Sequence, residues 1–402
     1  MKKILTMALC LAAVGSMSAQ KAAVDQAAKM SGKLDKIGEA RALIKDAAAN
    51  PETSGDVRTY YVAGKLEFDA FDEGFKKRAI NPDDPAVNLI DMGNQLVNGY
   101  EMFLKALPLD SVPNEKGQVK PKHSKEMLGK ILGHHNDYFQ FGGEMFNNKH
   151  YYPEAYNAFM IYGDMPSQPW ADKTVKATPD SVVALAYHYA GIGAYSGNAL
   201  DKALAAFEKA RKAGITDPQN YVYEIACWQN LALRDSTLED RAKKEIEAIA
   251  RHGYESFGIS NPLFLNNLVN SMLLQERYDD AVAIVTEQIG KTPDKAFLYG
   301  LRGYIYDRKN DDKASLADYR KAAEFADADI ETLKNAAKKL YTSGSAVWNN
   351  IEGNQPEARQ DVKVNYWEAA KAIAERAKAL DAADTDVDRI LDSINYALET
   401  YF

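Results

Sequence analysis

The residue types best able to do chemistry in this chain are its six His, two Cys and 57 Asp and Glu. His134 and His135 are adjacent in a stretch of helical periodicity. Their side chains then diverge by about 100° and cannot chelate one metal from a regular helix. No two His stand at the i, i+4 spacing of a helical zinc site, and there is no Cys pair. His188 stands alone in a stretch of helical periodicity, which fits a structural or groove-facing His rather than a metal site. Gly191-Ile192-Gly193, with Gly197, has part of the spacing of a dinucleotide loop. No strand precedes it and the third Gly is misplaced, so the small residues are expected to let two helices approach. There is no Gly-x-Ser-x-Gly elbow and no phosphate loop.

The acids Asp279-Asp280 and Asp311-Asp312 fall in short polar stretches between apolar-periodic segments, where solvation explains them. Cys227 is flanked by Ile225, Ala226 and Trp228 and reads as an inert, partly buried thiol. Most of the 23 Tyr, among them Tyr187, Tyr278 and Tyr319, fall at helical packing positions. No catalytic residue, metal or cofactor is expected, and the chain reads as a protein that is not an enzyme.

The elements that carry these residues are helical. Leu265, Leu268 and Met272 share one helix face, as do Ala281, Val285 and Ile289. Between them Gln275-Glu276-Arg277-Tyr278 is polar and breaks both periods. The same unit is written again 34 residues later: Ser315 stands for Ala281, Tyr319 for Val285, and Lys309-Asn310-Asp311-Asp312 for the turn. Arg302-Gly303 and Tyr306 mark the first helix of that second copy, and Pro293 closes the first. This pattern over Pro262 to Ala328 resembles the tetratricopeptide repeat (TPR), whose period is about 34 residues. One such hairpin cannot bury its apolar face alone and needs neighbours stacked on each side.

Further copies are legible around it. Asp25 to Ala49 is one helical stretch, with Ala40 as the small residue, closed by Asn50-Pro51. Val57 to Glu73 pairs with Val87 to Leu107, and Ser111 to Lys122, with Pro113, Gly117 and Pro121, is a flexible loop. Ser124 to Asn147 pairs with Pro153 to Tyr162, followed by a Pro-marked loop from Met165 to Pro179. Ser181 to Ala213 and Gln219 to His252 are two more copies; in the second, Ser236 and Glu239 have capping-box spacing. Ile330 to Ile351 and Glu357 to Leu380 make a final long hairpin. Val387, Ile390, Leu391, Ile394 and Leu398 give a last amphipathic helix, the cap a solenoid end requires. The small residues of the second helices are Ala40, Gly99, Ala155, Ala203, Ala242, Ala281, Ser315 and Ala370, and only the 281 to 315 step is 34. The resemblance implies an all-α, right-handed α-solenoid with a C-terminal capping helix. It forms a single domain over 21–402: degenerate repeats in 25–122, clearer repeats in 136–328, and the final hairpin and cap in 329–402.

Residues 1–20 differ from the rest. Lys2 and Lys3 precede an apolar run from Ile4 to Val14 and the small residues Gly15, Ser16, Ser18 and Ala19. This is the pattern of a secretory signal peptide, too short for a membrane span, with cleavage expected between Ser18 and Lys21. The expectation is an exported protein of the periplasm or cell envelope of a Gram-negative bacterium. Cys10 follows Leu9 where a lipid-attachment signal has a small residue, so lipidation is not expected. Past residue 20 only Cys227 remains, so no internal disulfide can form and stability must come from helix packing. The net charge of −8, with no basic cluster, points away from nucleic acid and from anionic lipid, and no transmembrane segment follows the signal.

In proteins of the TPR family the first helices of successive hairpins line a concave groove. The resemblance therefore places Tyr223, Asn230, Asn266, Asn270, Tyr304 and Asp307 in a groove that binds a protein or peptide partner. Asn266 and Asn270 lie i, i+4 on one face, and each amide offers both a donor and an acceptor to an extended backbone. Tyr223 and Tyr304 add flat apolar area at modest entropy cost. The basic set with which cytosolic TPR co-chaperones hold an acidic C-terminus is missing from these positions. The expected function is a non-enzymatic envelope scaffold. The alternative is a glycan-binding accessory protein of an outer-membrane nutrient-uptake system, whose helical binders also contain TPR-like hairpins.

Overall fold

A computed structural model describes residues 20–51, 53–148 and 151–402. The expected signal peptide, with Cys10, and His150 lie outside the described residues apart from Gln20. Among the described residues every regular element is helical, so the chain is all-α. It divides into two compact units, Met1–Glu239 and Asp240–Phe402.

In the first unit, α1 (20–28) and α2 (Ile37–Ala49) lead into α3 (Val57–Ile80) and α4 (Leu89–Asp110). After these come α5 (Ser124–Gly133), α6 (His135–Asn147), α7 (Tyr152–Asp164) and the single turn α8 (Lys173–Lys176). The unit closes with α9 (Asp180–Ser196), α10 (Leu200–Lys212) and α11 (Pro218–Arg234). Each long helix packs on its chain neighbours: α3 on α4, α6 on α7, α7 on α9, α9 on α10 and α10 on α11. The close approaches use one repeated device, a glycine seated on a buried ring. Gly99 of α4 faces Phe68 of α3, where an added Cβ would come within 2.9 Å of the ring. Gly191 of α9 sits on the ring of the fully buried Phe207 of α10. Gly193 faces α7 instead, where an added Cβ would stand 3.4 Å from the main-chain oxygen of Tyr152. Phe207 has no room to move, so Gly191→Ala is expected to destabilise the protein by about 1–3 kcal/mol through overpacking. Chemical denaturation checks this, and an unchanged midpoint would show that the helices can part without loss.

Three local expectations are corrected. Asp25 to Ala49 is not one helix: residues 29–36 interrupt it, and Gly32 turns the chain at φ 75°. Ser124 to Asn147 breaks at His134, between the end of α5 at Gly133 and the start of α6 at His135. The cap before residue 236 is Asp235, whose carboxylate accepts from the Thr237 N–H, rather than Ser236. The loop after α4 is exposed throughout 111–121, and Asp110 anchors its far end. Its carboxylate accepts from the N–H groups of Lys122 (3.0 Å), His123 (2.8 Å) and Ser124 (2.7 Å) and from the Ser124 hydroxyl. Burial alone would raise the Asp110 pKa, but the Ser124 hydroxyl and these N–H donors outweigh it and hold it at about 2.

The second unit takes in most of α12 (Glu239–Phe257) and continues with α13 (Pro262–Leu274), α14 (Tyr278–Lys291), α15 (Ala296–Arg308) and α16 (Asp312–Glu324). Then come α17 (Ile330–Asn349), α18 (Pro356–Asp361), α19 (Ala369–Leu380) and α20 (Thr385–Tyr401). A π-helical stretch, Val362–Glu368, joins α18 to α19 and buries Val362 and Trp367. The helices α13, α15 and α17 begin 34 residues apart, at Pro262, Ala296 and Ile330. Their partners α14 and α16, at Tyr278 and Asp312, keep the same step. The TPR-like period thus runs one helix further than the two copies read from sequence. The turns repeat as well: Glu276 and Asn310 both take positive φ, 56° and 61°. The final helix α20 is capped by Asp384, buries Val387, Ile394 and Ala397, and leaves its opposite face exposed.

Candidate functional site

The residues first suspected of chemistry are accounted for by packing. His188 is buried; its Nδ1 lies 3.2 Å from the Asn220 side-chain oxygen, and Asn220 in turn donates to the main-chain oxygen of Phe207. Burial lowers the His188 pKa and keeps the ring neutral. His134 sits between Asp137 (2.8 Å) and Asp72 (3.3 Å). Burial would lower its pKa, but the two carboxylates outweigh burial and raise it. The turn acids are ion-paired or capping: Asp279 with Lys309, Asp280 with Arg277, Asp312 with Lys339, and Asp311 on the N–H of Ala314. Among the described residues no cluster of three His, Cys, Asp or Glu could hold a metal ion, and no helix is long and apolar enough to cross a membrane.

Cys227 is fully buried, and burial pushes its thiol up to about 12. The thiolate is the reactive form. Cys227 is therefore expected to stay unlabelled by Ellman's reagent in native protein and to react once the chain is denatured. Rapid labelling of the native protein would contradict this burial.

What the fold does assemble is a groove across three parallel-running positions of the repeat, on α13, α15 and α17. Asn266 and Asn270 from α13, Gly300 and Tyr304 from α15, and Thr332 and Asn335 from α17 line one cavity of about 360 Å³. Local sequence sets each helix in place. Asn261 caps α13 through the Leu263 N–H (3.2 Å), and Asp329 caps α17 through the Thr332 N–H (2.8 Å). Leu265, Leu268, Val269 and Met272 bury the far side of α13, leaving Asn266 and Asn270 outward. Gly300 lets α17 come close: an added Cβ there would stand 3.2 Å from the Thr332 methyl. The floor of the groove is consequently backbone, and Tyr304, 37% exposed, forms one wall.

The side chains of Asn266, Asn270 and Asn335 are exposed and make no hydrogen bond among the described residues. Asn267 of α13 and Asn230 of α11 behave differently. Asn267 donates to the carbonyl of Leu263 (2.9 Å) and Asn230 to that of Ala226 (2.8 Å), each four residues back. The groove amides of Asn266, Asn270 and Asn335 keep both donor and acceptor for something outside the chain.

The structure thus brings together three of the six residues placed in the groove by sequence: Asn266, Asn270 and Tyr304. Asp307 is occupied within the second unit, accepting from the Ser315 hydroxyl (2.7 Å) and pairing with Lys339. Tyr223 and Asn230 belong to the first unit. There Tyr223 stacks on Phe207, with ring centroids 5.7 Å apart, and lies tilted against Tyr195. Asn335 was missed. The 34-residue step, carried from Asn266 and Asn270 onto α17, leads to Lys334 and Lys338 instead, so only the packing of α17 brings Asn335 to the groove.

No family model matches the chain, and no curated protein matches it. Among solved structures it is similar to yeast Tom70, at 14% identity over 95% of this chain and 89% of that one, TM-score 0.33. It is similar to the TPR2AB domain of yeast Sti1 in a pHSP90 complex, at 14% identity over 83% and 98%, TM-score 0.24. It is also similar to the TPR domain of P58(IPK), at 12% identity over 95% and 98%, TM-score 0.29.

Proposed function

We propose that this chain is a non-enzymatic binding scaffold of the bacterial cell envelope, and that it holds an extended protein or peptide segment along the groove of α13, α15 and α17. The observation that carries this reading is the set of three exposed Asn amides without partners that line one cavity beside Tyr304. A main-chain peptide group offers one donor and one acceptor, and an Asn side chain matches both whatever the partner's sequence. Such a groove selects for an extended backbone and tolerates varied side chains. Burying those backbone groups without partners would be costly, which is what the amides prevent. Export rests on the basic, apolar and small-residue order of residues 1–20; N-terminal sequencing of the mature protein tests it, and an intact Met1 would remove the envelope setting.

The partner is to be identified by crosslinking and co-purification from envelope extracts, then titrated against purified protein. Asn270→Ala is expected to weaken binding about ten-fold, the effect of one lost hydrogen-bonding group. Asn267→Ala, on the same helix but bonded to Leu263, is expected to leave affinity unchanged. If both variants bind like the parent, the partner sits elsewhere.

A further inference from the structure

The first unit contains a larger cavity, about 640 Å³, between α5, the start of α6, α7 and the segment 165–179. That segment is a built wall: Met165, Ala171 and Val175 are buried, and the Asp172 carboxylate accepts from the Val175 N–H at 2.9 Å. We propose that this cavity is a second ligand site, for a small organic ammonium compound, a primary amine carried on a short apolar chain.

Three features converge on that class. His135 lines the cavity although only 6% of its surface is exposed. Its Nε2 faces the main-chain oxygen of Tyr162 at 3.3 Å and therefore carries the proton. Its Nδ1 is then a lone-pair acceptor with no partner among the described residues. Stacking on the Tyr162 ring, centroids 4.3 Å apart and 5° from parallel, holds the imidazole in that orientation. Burial lowers the His135 pKa, so the ring stays neutral and accepting at neutral pH. Secondly, Asp172 is the one formally charged side chain among the lining residues, which include no Lys or Arg. A cationic N–H donor suits both the carboxylate and the imidazole, whereas an anion meets a like charge with only neutral donors, such as the Asn136 amide, to hold it. Thirdly, Leu132 and Val175 supply apolar wall. The space itself is left by Gly129 and Gly133, one turn apart on α5, where an added Cβ would meet no atom within 4 Å.

The test uses three probes of nearly equal size, 1-butylamine, 1-butanol and butyrate, titrated into the full chain near neutral pH with ligand-observed NMR as readout. Butylamine is expected to bind at least about ten-fold more tightly than butanol, and butyrate not at all. Asp172→Asn keeps a side-chain oxygen for the Val175 N–H and is expected to weaken the amine about ten-fold. Gly133→Leu fills the space and is expected to abolish binding while the circular dichroism spectrum stays unchanged. The proposal is overturned if butylamine does not bind, if butanol or butyrate binds as well or better, or if neither substitution alters amine binding. Asn270→Ala should not move this titration, so the groove and the cavity fail or stand separately.

Discussion

Replacing Asn266, Asn270 and Asn335 together by alanine is expected to weaken binding of the groove's partner by about a hundred-fold or more. Each amide contributes about 0.5–1.5 kcal/mol net when its hydrogen bonds form in a desolvated groove, and three give about 3 kcal/mol. The three residues would contact one ligand, so their effects couple and the triple loss need not equal the sum of single losses. All three side chains are exposed and bond to nothing among the described residues, so thermal stability and helix content should stay at the parent values. Titration calorimetry beside a circular dichroism melt separates the two quantities. A triple variant that binds like the parent would remove the groove from the function. A variant that loses binding along with its melting temperature would mean the amides hold the fold.

The largest stability effect is expected at Asp318. Its carboxylate accepts two hydrogen bonds from Arg302, at 2.7 Å from Nε and 2.8 Å from Nη2, joining α15 to α16. Both side chains are mostly withdrawn from water, 9% and 18% exposed. Asp318→Ala leaves the guanidinium with the Thr286 hydroxyl (3.1 Å) and the Tyr299 ring and without its counter-charge. The expected cost is about 3–5 kcal/mol, the range for breaking a buried pair by removing one partner. Replacing both, as Arg302→Met with Asp318→Leu, removes the stranded charge and is expected to recover most of that loss. Denaturant unfolding of the three variants decides the matter. Equal destabilisation by the single and double variants would mean that packing, and not the uncompensated charge, is what Asp318 contributes. The pair lies beside Gly303 and Tyr319 in the same hairpin, so the single substitution is also expected to loosen the groove wall at Tyr304.

Much of this architecture was legible in residue order because it is local. Helical periodicity, a polar turn and a small residue at Ala281 or Ser315 specify a hairpin without reference to the rest of the chain. The 34-residue step repeats because each hairpin packs on the next in the same way, so similar residues recur at similar places. Asn266 and Asn270 could be placed on an outward face since the apolar stripe of α13 fixes which face is inward. The reading of Cys227 as inert followed from its apolar neighbours in sequence, and that of Gly191 and Gly193 as packing residues from the helical pattern around them and the lack of a preceding strand.

Other features depended on tertiary structure. The break at His134 has no local signal, because both flanking segments are good helices and the contacts of His134 with Asp72 and Asp137 are made only in the fold. The grip of Asp110 on Lys122, His123 and Ser124 spans a loop whose composition reads as flexible. Which Asn are free is likewise a tertiary outcome. Asn266 and Asn267 are neighbours with the same chemistry, yet rotation by one helical position sends one amide to the Leu263 carbonyl and leaves the other in the groove. Sequence determines the helices and the faces they bury. Which polar groups are left over is decided by the packing of elements far apart in the chain, and the candidate binding surfaces are made of those groups.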